Sequence, residues 1–271
     1  MKQAVRQNFE EKISYAAQVI PGMRVMDAGG VLAVDCGLPS DTFNVIVVRD
    51  VSPPEQPLAQ SVEHFMAKRF PAALWYWQED AERFSQHPAL AARFVHAETH
   101  VAMVADRQQR SPSAARPIGL TISAVEQPSE MRQYGQIIAR LFGDSDEGRQ
   151  VAAYFDLLTA YPARDFPAAR CFIGTYHGQA VATGSLFVGR ETLGIYDIVT
   201  AVDYRGRGIG SAMFAYLLRE AAAYGQRWVV LQASAAGIGI YLKAGFRPAG
   251  QVHTFENRPL LPTPPLDTTN P

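Results

Sequence analysis

Residues 193–217 read Leu-Gly-Ile-Tyr-Asp-Ile-Val-Thr-Ala-Val-Asp-Tyr-Arg-Gly-Arg-Gly-Ile-Gly-Ser-Ala-Met-Phe-Ala-Tyr-Leu. The first eight residues, 193–200, are an apolar run with a single acid, Asp197, which is typical of a strand buried on both faces. From Gly208 onwards, the apolar residues Ile209, Met213 and Leu217 recur with a helical period. The stretch therefore predicts a buried strand, a basic glycine-rich loop and a helix.

The loop between this strand and this helix has the chemistry of a phosphate site. It reads Arg205-Gly206-Arg207-Gly208-Ile209-Gly210, and its three glycines remove side chains where a ligand approaches the backbone. Free amide groups at a helix N-terminus favour an anion, and the two arginines add charge and bidentate donors. The alternative is a solvated basic turn that only enters a helix, and a single short motif does not exclude it.

Two well-known phosphate-binding motifs do not fit this loop. A dinucleotide fingerprint needs a third glycine where Ser211 stands, and an acid where the next strand ends in Leu231-Gln232. The lysine-containing P-loop motif is absent. The pattern that fits is Arg-x-x-Gly-x-Gly, formed by Arg205, Gly208 and Gly210. After a buried strand, it resembles the acyl-CoA loop of the GNAT N-acetyltransferase superfamily.

A second motif downstream supports the resemblance. The strand predicted at 228–233 is followed by Ser234, then by Tyr241 about seven residues later, and then by Gly245-Phe246. This spacing is similar to the second hallmark of the GNAT superfamily. Two motifs in the expected order are more specific than either motif alone.

The resemblance implies an acetyl-CoA-dependent N-acetyltransferase that uses no metal and acts on a primary amine of a small molecule or peptide. It places Tyr241 as the general acid that protonates the departing thiolate. It assigns the binding of the cofactor to Ile198, Val199, Thr200, Arg205, Gly206, Arg207, Gly208, Ile209, Gly210, Ser211 and Ser234. The alternative is a CoA-binding regulatory or interaction protein whose catalysis has lapsed, although the presence of Tyr241 favours an enzyme.

The length of 271 residues favours two domains. The order of predicted elements in the first half is close to that of the second half, and some GNAT proteins are tandem with a degenerate N-terminal copy. We therefore expect an α/β fold of two GNAT-like mixed-sheet domains in tandem, with central strands flanked by helices. The predicted limits are a degenerate copy at 1–105, a linker at 106–117, an N-acetyltransferase domain at 118–257 and a proline-rich tail at 258–271.

The segment that follows the first-half strand at 43–50 differs from the loop at 205–210. Residues 51–57 read Val-Ser-Pro-Pro-Glu-Gln-Pro, without a glycine. Prolines lack the amide donors that a phosphate would use, and the acid opposes an anion. We therefore expect no CoA in the first half, which would instead cover the acceptor cleft.

Periodicity and turn signals predict the other elements. The first half is expected to contain helices at 3–19, 56–69 and 79–92, and strands at 23–28, 31–36, 43–50, 72–77, 93–97 and 100–105. The second half is expected to contain strands at 118–125, 170–175, 179–188 and 251–255, and helices at 128–142 and 147–160.

Composition bounds the class of protein. The net charge of −1 argues against a broad nucleic-acid surface. The two cysteines, Cys36 and Cys171, predict neither a disulfide framework nor a metal site. No apolar run approaches ~18 residues, and the charged N-terminus does not resemble a signal peptide, so we expect a cytoplasmic protein without membrane contact. Its expected state is a monomer or homodimer.

Several other residues are candidates for the acceptor site. Asp197 is either a general base or an acid hydrogen-bonded to backbone, and the second role is favoured because strict alternation turns it away from the face of Tyr196 and Ile198. The remaining acids, Glu191, Asp144, Asp146 and Glu147, are expected to be solvated surface charges. The aromatic group Trp75, Tyr76 and Trp77 is expected to be mainly core, and the mixed set Arg132, Tyr134, Tyr154 and Asp156 identifies no substrate.

Overall fold

The computed structural model describes residues 1–50, 55–79, 81–108, 115–235 and 237–261. Residues 51–54 of the glycine-free segment, residues 109–114 of the predicted linker and the tail from 262 lie outside the described residues. The helices are α1 (Lys2–Tyr15), α2 (Glu55–Lys68), α3 (Ala81–Ser85), α4 (Pro128–Ala139), α5 (Asp146–Leu158), α6 (Ile209–Ala221) and α7 (Ile238–Lys243). The strands are β1 (Arg24–Ala28), β2 (Val31–Asp35), β3 (Val45–Val48), β4 (Ala73–Tyr76), β5 (Val95–Asp106), β6 (Leu120–Ala124), β7 (Ala169–Tyr176), β8 (Gln179–Val188), β9 (Thr192–Thr200), β10 (Trp228–Ala233) and β11 (Arg247–Glu256).

The described strands form one mixed sheet. Its order is β1-β2-β3-β4-β11-β5-β10-β9-β8-β7-β6. Two neighbouring pairs are parallel, β3 with β4 in the first half and β9 with β10 in the second, and the other described pairs are antiparallel. Each half therefore contributes one parallel pair at the equivalent point of its element order.

The last strands of the two halves are exchanged. β11 follows β10 in the chain, yet it pairs with β4 of the first half, and β5 of the first half pairs with β10 of the second. β5 and β11 also pair with each other from Arg247↔Val104 to Glu256↔Val95. The linker predicted at 106–117 therefore does not separate two independent sheets. The limits of the two predicted domains stay a prediction.

Helices cover both faces of the sheet. On one face, α2 packs on the first half through Leu58, Val62 and Phe65, and α6 packs on the second half through Met213 and Leu217. On the other face, α1 packs across the middle of the sheet through Val5 and Phe9, and α4 and α5 cover β7 and β9. The helix α1 therefore belongs to the first half by sequence but contacts strands of both halves.

Two predictions about the first half were wrong. The two short strands expected at 93–97 and 100–105 are one strand, β5, because it is paired along its length with β11 and β10. The helix expected at 79–92 is reduced to α3. Pro88 explains the early end, since the residue before a proline is disfavoured in the helical region.

Candidate functional site

A β-bulge in β9 places Asp197 on the same face of the sheet as Tyr196, which strict alternation does not predict. Between the pairs Thr183↔Val199 and Ser185↔Tyr196, two residues of β9 oppose one residue of β8. Asp197 has a positive φ of 55°, and Thr183 Oγ1 donates to its carbonyl oxygen at 2.7 Å. The bulge breaks the alternation of side chains. Tyr196 and Asp197 consequently point to the same face, which is the face that α1 and α4 cover.

The prediction from strict alternation was therefore wrong. Ile198 lies with the cluster of residues under α6, whereas Tyr196 packs with the cluster under α1. Val199 packs with Tyr134 in the cluster under α4. Ile198 and Tyr196 thus face opposite sides of the sheet, because the extra residue at 197 shifts the phase of the strand.

The parallel strands β9 and β10 separate after Gly194, shortly before the bulge. Their pairing covers only Trp228↔Thr192, Val229↔Leu193 and Val230↔Gly194. The remaining residues of β10, up to Ala233, pair with β5 alone, and the remaining residues of β9 pair with β8 alone. A gap therefore opens between the carboxyl ends of two parallel strands, where open α/β sheets bind ligands.

The basic loop lies at the end of β9 and begins α6. Gly206 and Gly208 have φ values of 75° and 76°, a region that favours glycine, and Gly208 is the N-cap of the helix. No side chain caps the helix. Within the described residues, the N–H groups of Ile209, Gly210 and Ser211 have no protein acceptor. The start of α6 thus presents three free amides, which is the arrangement that binds anions.

Both arginines of the loop are exposed and are anchored to backbone carbonyls. Arg205 Nε donates to Thr200 O at 3.1 Å, and Arg207 donates to Asp203 O at 3.1 Å while its guanidinium lies 5.3 Å from the Tyr204 ring centre. Neither guanidinium forms an ion pair with a described carboxylate. Their charge therefore remains available to an anion.

Thr200 and Ser234 lie at the ends of the two separated strands. A Cβ at Gly210 would come within 3.2 Å of Thr200 Oγ1, so the helix start approaches β9 closely. Ser234 follows β10, and its carbonyl accepts the N–H groups of Gly237 and Ile238. The structure thus brings the predicted cofactor residues of β9, the loop and the end of β10 to one edge of the sheet.

Tyr241 lies on α7, beside the first turns of α6. Its ring makes an edge contact with Phe214 of α6, with the ring centres 5.0 Å apart. Its hydroxyl has no hydrogen-bond partner among the described residues, and burial raises the pKa of the phenol above its ordinary value. The phenol therefore stays protonated at neutral pH and can donate a proton.

A cavity of about 620 Å³ lies between the two halves on the α1 face of the sheet. The first half contributes residues of α1, β2 and β3, and the second half contributes residues of α5, β7, β8 and β9. Asp197 belongs to its lining, as do Tyr154 and both cysteines. The cavity is therefore continuous with the bulge of β9.

Aromatic residues from both halves form part of the wall of this cavity. Phe43 from the first half stacks on Tyr154 from α5, with ring centres 3.6 Å apart and an angle of 12°. Phe155 makes edge contacts with both rings. Tyr15 of α1 contacts Phe166 and Phe187 in the same way. Sequence analysis named Tyr154 but not these partners, which are distant in the chain.

Asp197 is held by side chains in the wall of the cavity. Its Oδ2 accepts hydrogen bonds from Ser185 Oγ at 2.7 Å and from the fully buried Tyr134 hydroxyl at 3.3 Å. Its Oδ1 lies 3.4 Å from Lys12 Nζ of α1. The prediction that this carboxylate is hydrogen-bonded to backbone was wrong. Lys12 and Ser185 were missed by the sequence analysis, since neither belongs to a motif.

Three neutral groups in or beside the cavity resist ionisation. Burial and the nearby carboxylate raise the pKa of Tyr134 well above its ordinary value. Burial raises the pKa of Cys36 and of Cys171 to about 12, and both thiols are free. The cavity therefore contains protonated thiols at neutral pH, which are weak nucleophiles.

Most of the other candidate residues lie outside this site. Tyr76 and Trp77 are core residues, and Trp75 stacks on His100. Glu191, Asp144 and Asp146 are exposed, as expected. No group of at least three His, Cys, Asp or Glu side chains that could hold a metal occurs among the residues described. None of the described helices is long and apolar enough to cross a membrane.

Glu147 was wrongly expected to be a surface charge. It is only 5% exposed, and it accepts hydrogen bonds from Ser40 Oγ and Thr42 Oγ1 of the first half. It also pairs with Arg258, which forms an ion pair with Asp41. This cluster joins the first half, α5 and the segment after β11. Burial raises the pKa of the Glu147 carboxyl.

Part of the chain matches a known protein family. Residues 136–246 match the sequence model of the acetyltransferase (GNAT) family. No curated protein matches the chain significantly.

Solved structures match nearly the whole chain. A GCN5-related N-acetyltransferase from Kribbella flavida aligns over 92% of this chain and 95% of its own, with a TM-score of 0.60 and 16% identity. A putative acetyltransferase of the GNAT family from Novosphingobium aromaticivorans aligns over 93% and 96%, with a TM-score of 0.59 and 13% identity. A tandem GNAT protein from the clavulanic acid biosynthesis pathway aligns over 94% of each chain, with a TM-score of 0.54 and 13% identity.

At these identities the likeness shows the fold alone. Because it extends over both halves, the predicted α/β fold of two GNAT-like mixed-sheet domains in tandem is confirmed. The degeneracy of the first copy stays a prediction.

Proposed function

We propose that this chain, of which residues 136–246 match the acetyltransferase (GNAT) family model, moves an acetyl group from acetyl-CoA to a primary amine of a small molecule or peptide. The observation that carries this proposal is the gap between β9 and β10, which opens beside the uncapped start of α6. A pantetheine arm fits between separated strands, and a pyrophosphate fits on free helix amides. Both features occur at one edge of the sheet.

In this proposal the loop binds the pyrophosphate of CoA. The amides of Ile209, Gly210 and Ser211 donate to its oxygens, and Arg205 and Arg207 supply the positive charge. Gly206 and Gly208 keep side chains away from the approaching phosphates. Ser234 lies across the gap, at the end of β10.

The strand β9 contributes to the transfer step through its backbone. Beyond Gly194, its edge toward the gap has no pairing with β10, so backbone groups of Ile198, Val199 and Thr200 can pair with the pantetheine arm. A backbone N–H of this segment would polarise the thioester oxygen as negative charge develops on it. The attacking amine must be neutral, so a base or a water chain removes its proton before the C–N bond forms.

Tyr241 completes the reaction as the general acid. When the C–S bond of the thioester breaks, the departing thiolate takes the phenolic proton. Its free hydroxyl supports this role, because the phenol is protonated at neutral pH and its proton is not engaged in another hydrogen bond among the described residues. The first half takes no part in this step in our proposal. It covers the acceptor cleft through α1 and the segment around Phe43.

A screen of primary amines for acetyl-CoA-dependent release of CoA thiol tests the proposed function. We expect at least one amine to give thiol release together with a stoichiometric amount of acetylated amine, identified by mass spectrometry. Glu63→Gln serves as a control, since Glu63 on α2 is exposed and pairs with Arg93 at the surface. Binding of acetyl-CoA without turnover on any amine of the panel would instead favour a regulatory CoA-binding protein.

A further inference from the structure

We propose that the acceptor is a small amine with an aromatic or otherwise apolar body, which lies in the cavity between the halves with its ammonium group on Asp197. This inference rests on the proposed acetyl transfer and names the substrate class of the same site. The cavity of about 620 Å³ has the size of ordinary small-molecule sites, which range over roughly 300–1,000 Å³.

The lining of the cavity selects an apolar body. Its aromatic and aliphatic members include Ile13, Met23, Phe43, Met131, Tyr154 and Leu158. The stacked pair Phe43 and Tyr154 offers ring faces and edges to a flat ligand. A polar body would lose hydrogen bonds to water against this wall without replacement, which is costly.

The carboxylates of the cavity favour a single positive charge. Asp197 is fixed by hydrogen bonds from the hydroxyls of Ser185 and Tyr134. Among the described lining residues, the other carboxylate is Glu126, which is exposed to solvent. A ligand with several ammonium groups would therefore leave charges unpaired inside the apolar part of the cavity.

Lys12 Nζ occupies the position beside Asp197 that we assign to the ammonium group of the ligand. Its Nζ lies 3.4 Å from Asp197 Oδ1, a loose contact, and 5.0 Å from the ring centre of Tyr196. An incoming ammonium can displace it from the carboxylate, while the ring of Tyr196 still attracts the displaced Lys12. Removal of the Lys12 charge should therefore strengthen the binding of an amine.

Two arginines at the cavity argue against polycations. Arg164 and Arg170 line the cavity, are exposed and form no ion pair with a described acid. Their charges repel a second or third ammonium group at the entrance. A monoamine with a neutral or anionic outer end meets no such barrier.

Equilibrium binding separates these chemistries without turnover. We would titrate the CoA-saturated protein by calorimetry with 2-phenylethylamine, tryptamine, spermidine and 2-phenylethanol. The aromatic amines should bind about tenfold or more tightly than spermidine, which is similar in size, and than 2-phenylethanol, which lacks the charge. Equal or tighter binding of spermidine than of both aromatic amines would overturn the proposal.

Three variants test the roles of the charges. Asp197→Asn should weaken the binding of the aromatic amine by about tenfold or more and leave 2-phenylethanol unchanged. Lys12→Met should tighten the binding of the amine by about threefold, because it removes a competing cation of a partly exposed pair. Asp144→Asn, the same change at an exposed acid outside the cavity, is the matched control and should bind as the wild type does. If Asp197→Asn binds normally, or if Lys12→Met binds more weakly, the assignment to Asp197 is wrong.

The result can be separated from the fate of the proposed function. If the aromatic amines bind in the expected pattern but are not acetylated, the ligand class stands and the acetyl transfer fails. If spermidine is acetylated while both aromatic amines neither bind nor inhibit, acetyl transfer stands and the ligand class is wrong.

Discussion

The two halves of the sheet contain the same parallel pair but differ in how far it is paired. In the first half, all four residues of β3 are in register with β4, from Val45↔Ala73 to Val48↔Tyr76. In the second half, β9 and β10 share three pairs and then separate beside a bulge. Only the second of these two pairs leaves a gap into which a ligand could insert between strands.

The helices that follow β3 and β9 also differ, in whether their first turn can bind an anion. The first turn of α2 has the acid Glu55 and, at the third position, Pro57, which lacks an amide donor. The first turn of α6 has no acid and presents the amides of Ile209, Gly210 and Ser211. An anion is therefore disfavoured at α2 and favoured at α6. Similar topology does not give similar chemistry, because strand separation and helix-end composition vary independently of the fold.

The first half has no such gap between β3 and β4, but it contributes a strand, a helix and a cavity wall to the second half. It supplies β5 to the sheet beside β10, and it supplies α1, whose Asn8 hydrogen-bonds to Thr192 O and to the Tyr196 hydroxyl on β9. It also closes one side of the cavity with Phe43. The halves are therefore unequal in chemistry but joined in packing.

The largest expected effect tests whether the halves fold as one unit. Phe255 of β11 is 1% exposed and packs with Phe84 and His96 in the core of the first half. Phe255→Ala should lower the free energy of unfolding by about 3–5 kcal/mol, because it leaves a cavity there. Urea unfolding followed by circular dichroism and by tryptophan fluorescence should remain a single transition.

The matched control for this variant is Val25→Ala on the edge strand β1, where Val25 is 41% exposed. It should change the free energy of unfolding by less than about 0.5 kcal/mol. If the two halves of Phe255→Ala unfold in separate transitions, the exchange of strands does not make them unfold together.

The next effect concerns the chemistry assigned to the second half. Tyr241→Phe keeps the ring contact with Phe214 and removes only the hydroxyl. Turnover should fall roughly 10²-fold while acetyl-CoA affinity stays near that of the wild type, because the proton donor is lost and the binding groups remain. Steady-state kinetics and calorimetry measure the two quantities. Wild-type turnover under conditions where chemistry limits the rate would refute the role of Tyr241.

A smaller effect is expected for the binding loop. If the loop binds CoA as we propose, Gly208→Val places a side chain in the path of the pyrophosphate and should weaken acetyl-CoA binding by at least about 1.4 kcal/mol, a factor of ten. Gly22→Val is the control, since Gly22 also has a positive φ, 92°, with open space around it, but lies in the first half. Unchanged affinity in a folded Gly208→Val protein would rule out CoA binding at this loop.

No effect on acetyl-CoA binding is expected at α2, the helix of the first half that is equivalent to α6. Glu55→Ser removes the acid from the start of α2, but Pro57 still provides no donor. Titration should give one acetyl-CoA per chain for both the wild type and this variant, with affinities within about twofold. Two equivalent sites in either protein would show that the first half retains a CoA site.

Local pattern was sufficient for the elements around the binding loop. The strand, loop and helix at 193–217 follow from the change of period at Gly208, and β1 and β2 follow from the turn at Gly29-Gly30. The composition of 51–57 and of 205–210 already separates the two halves in charge and in amide donors. These features depend on residues close in the chain, so a single sequence contains them.

The exchange of β5 and β11, the bulge at Asp197 and the aromatic cavity were decided by tertiary structure. A strand pattern specifies which residues are buried but not which distant strand lies beside it. The bulge moves Asp197 to the cavity face through one unpaired residue, without a composition signal. Lys12, Phe43, Tyr154 and Asp197 are far apart in sequence and meet only because α1 and α5 pack on the same face of the shared sheet.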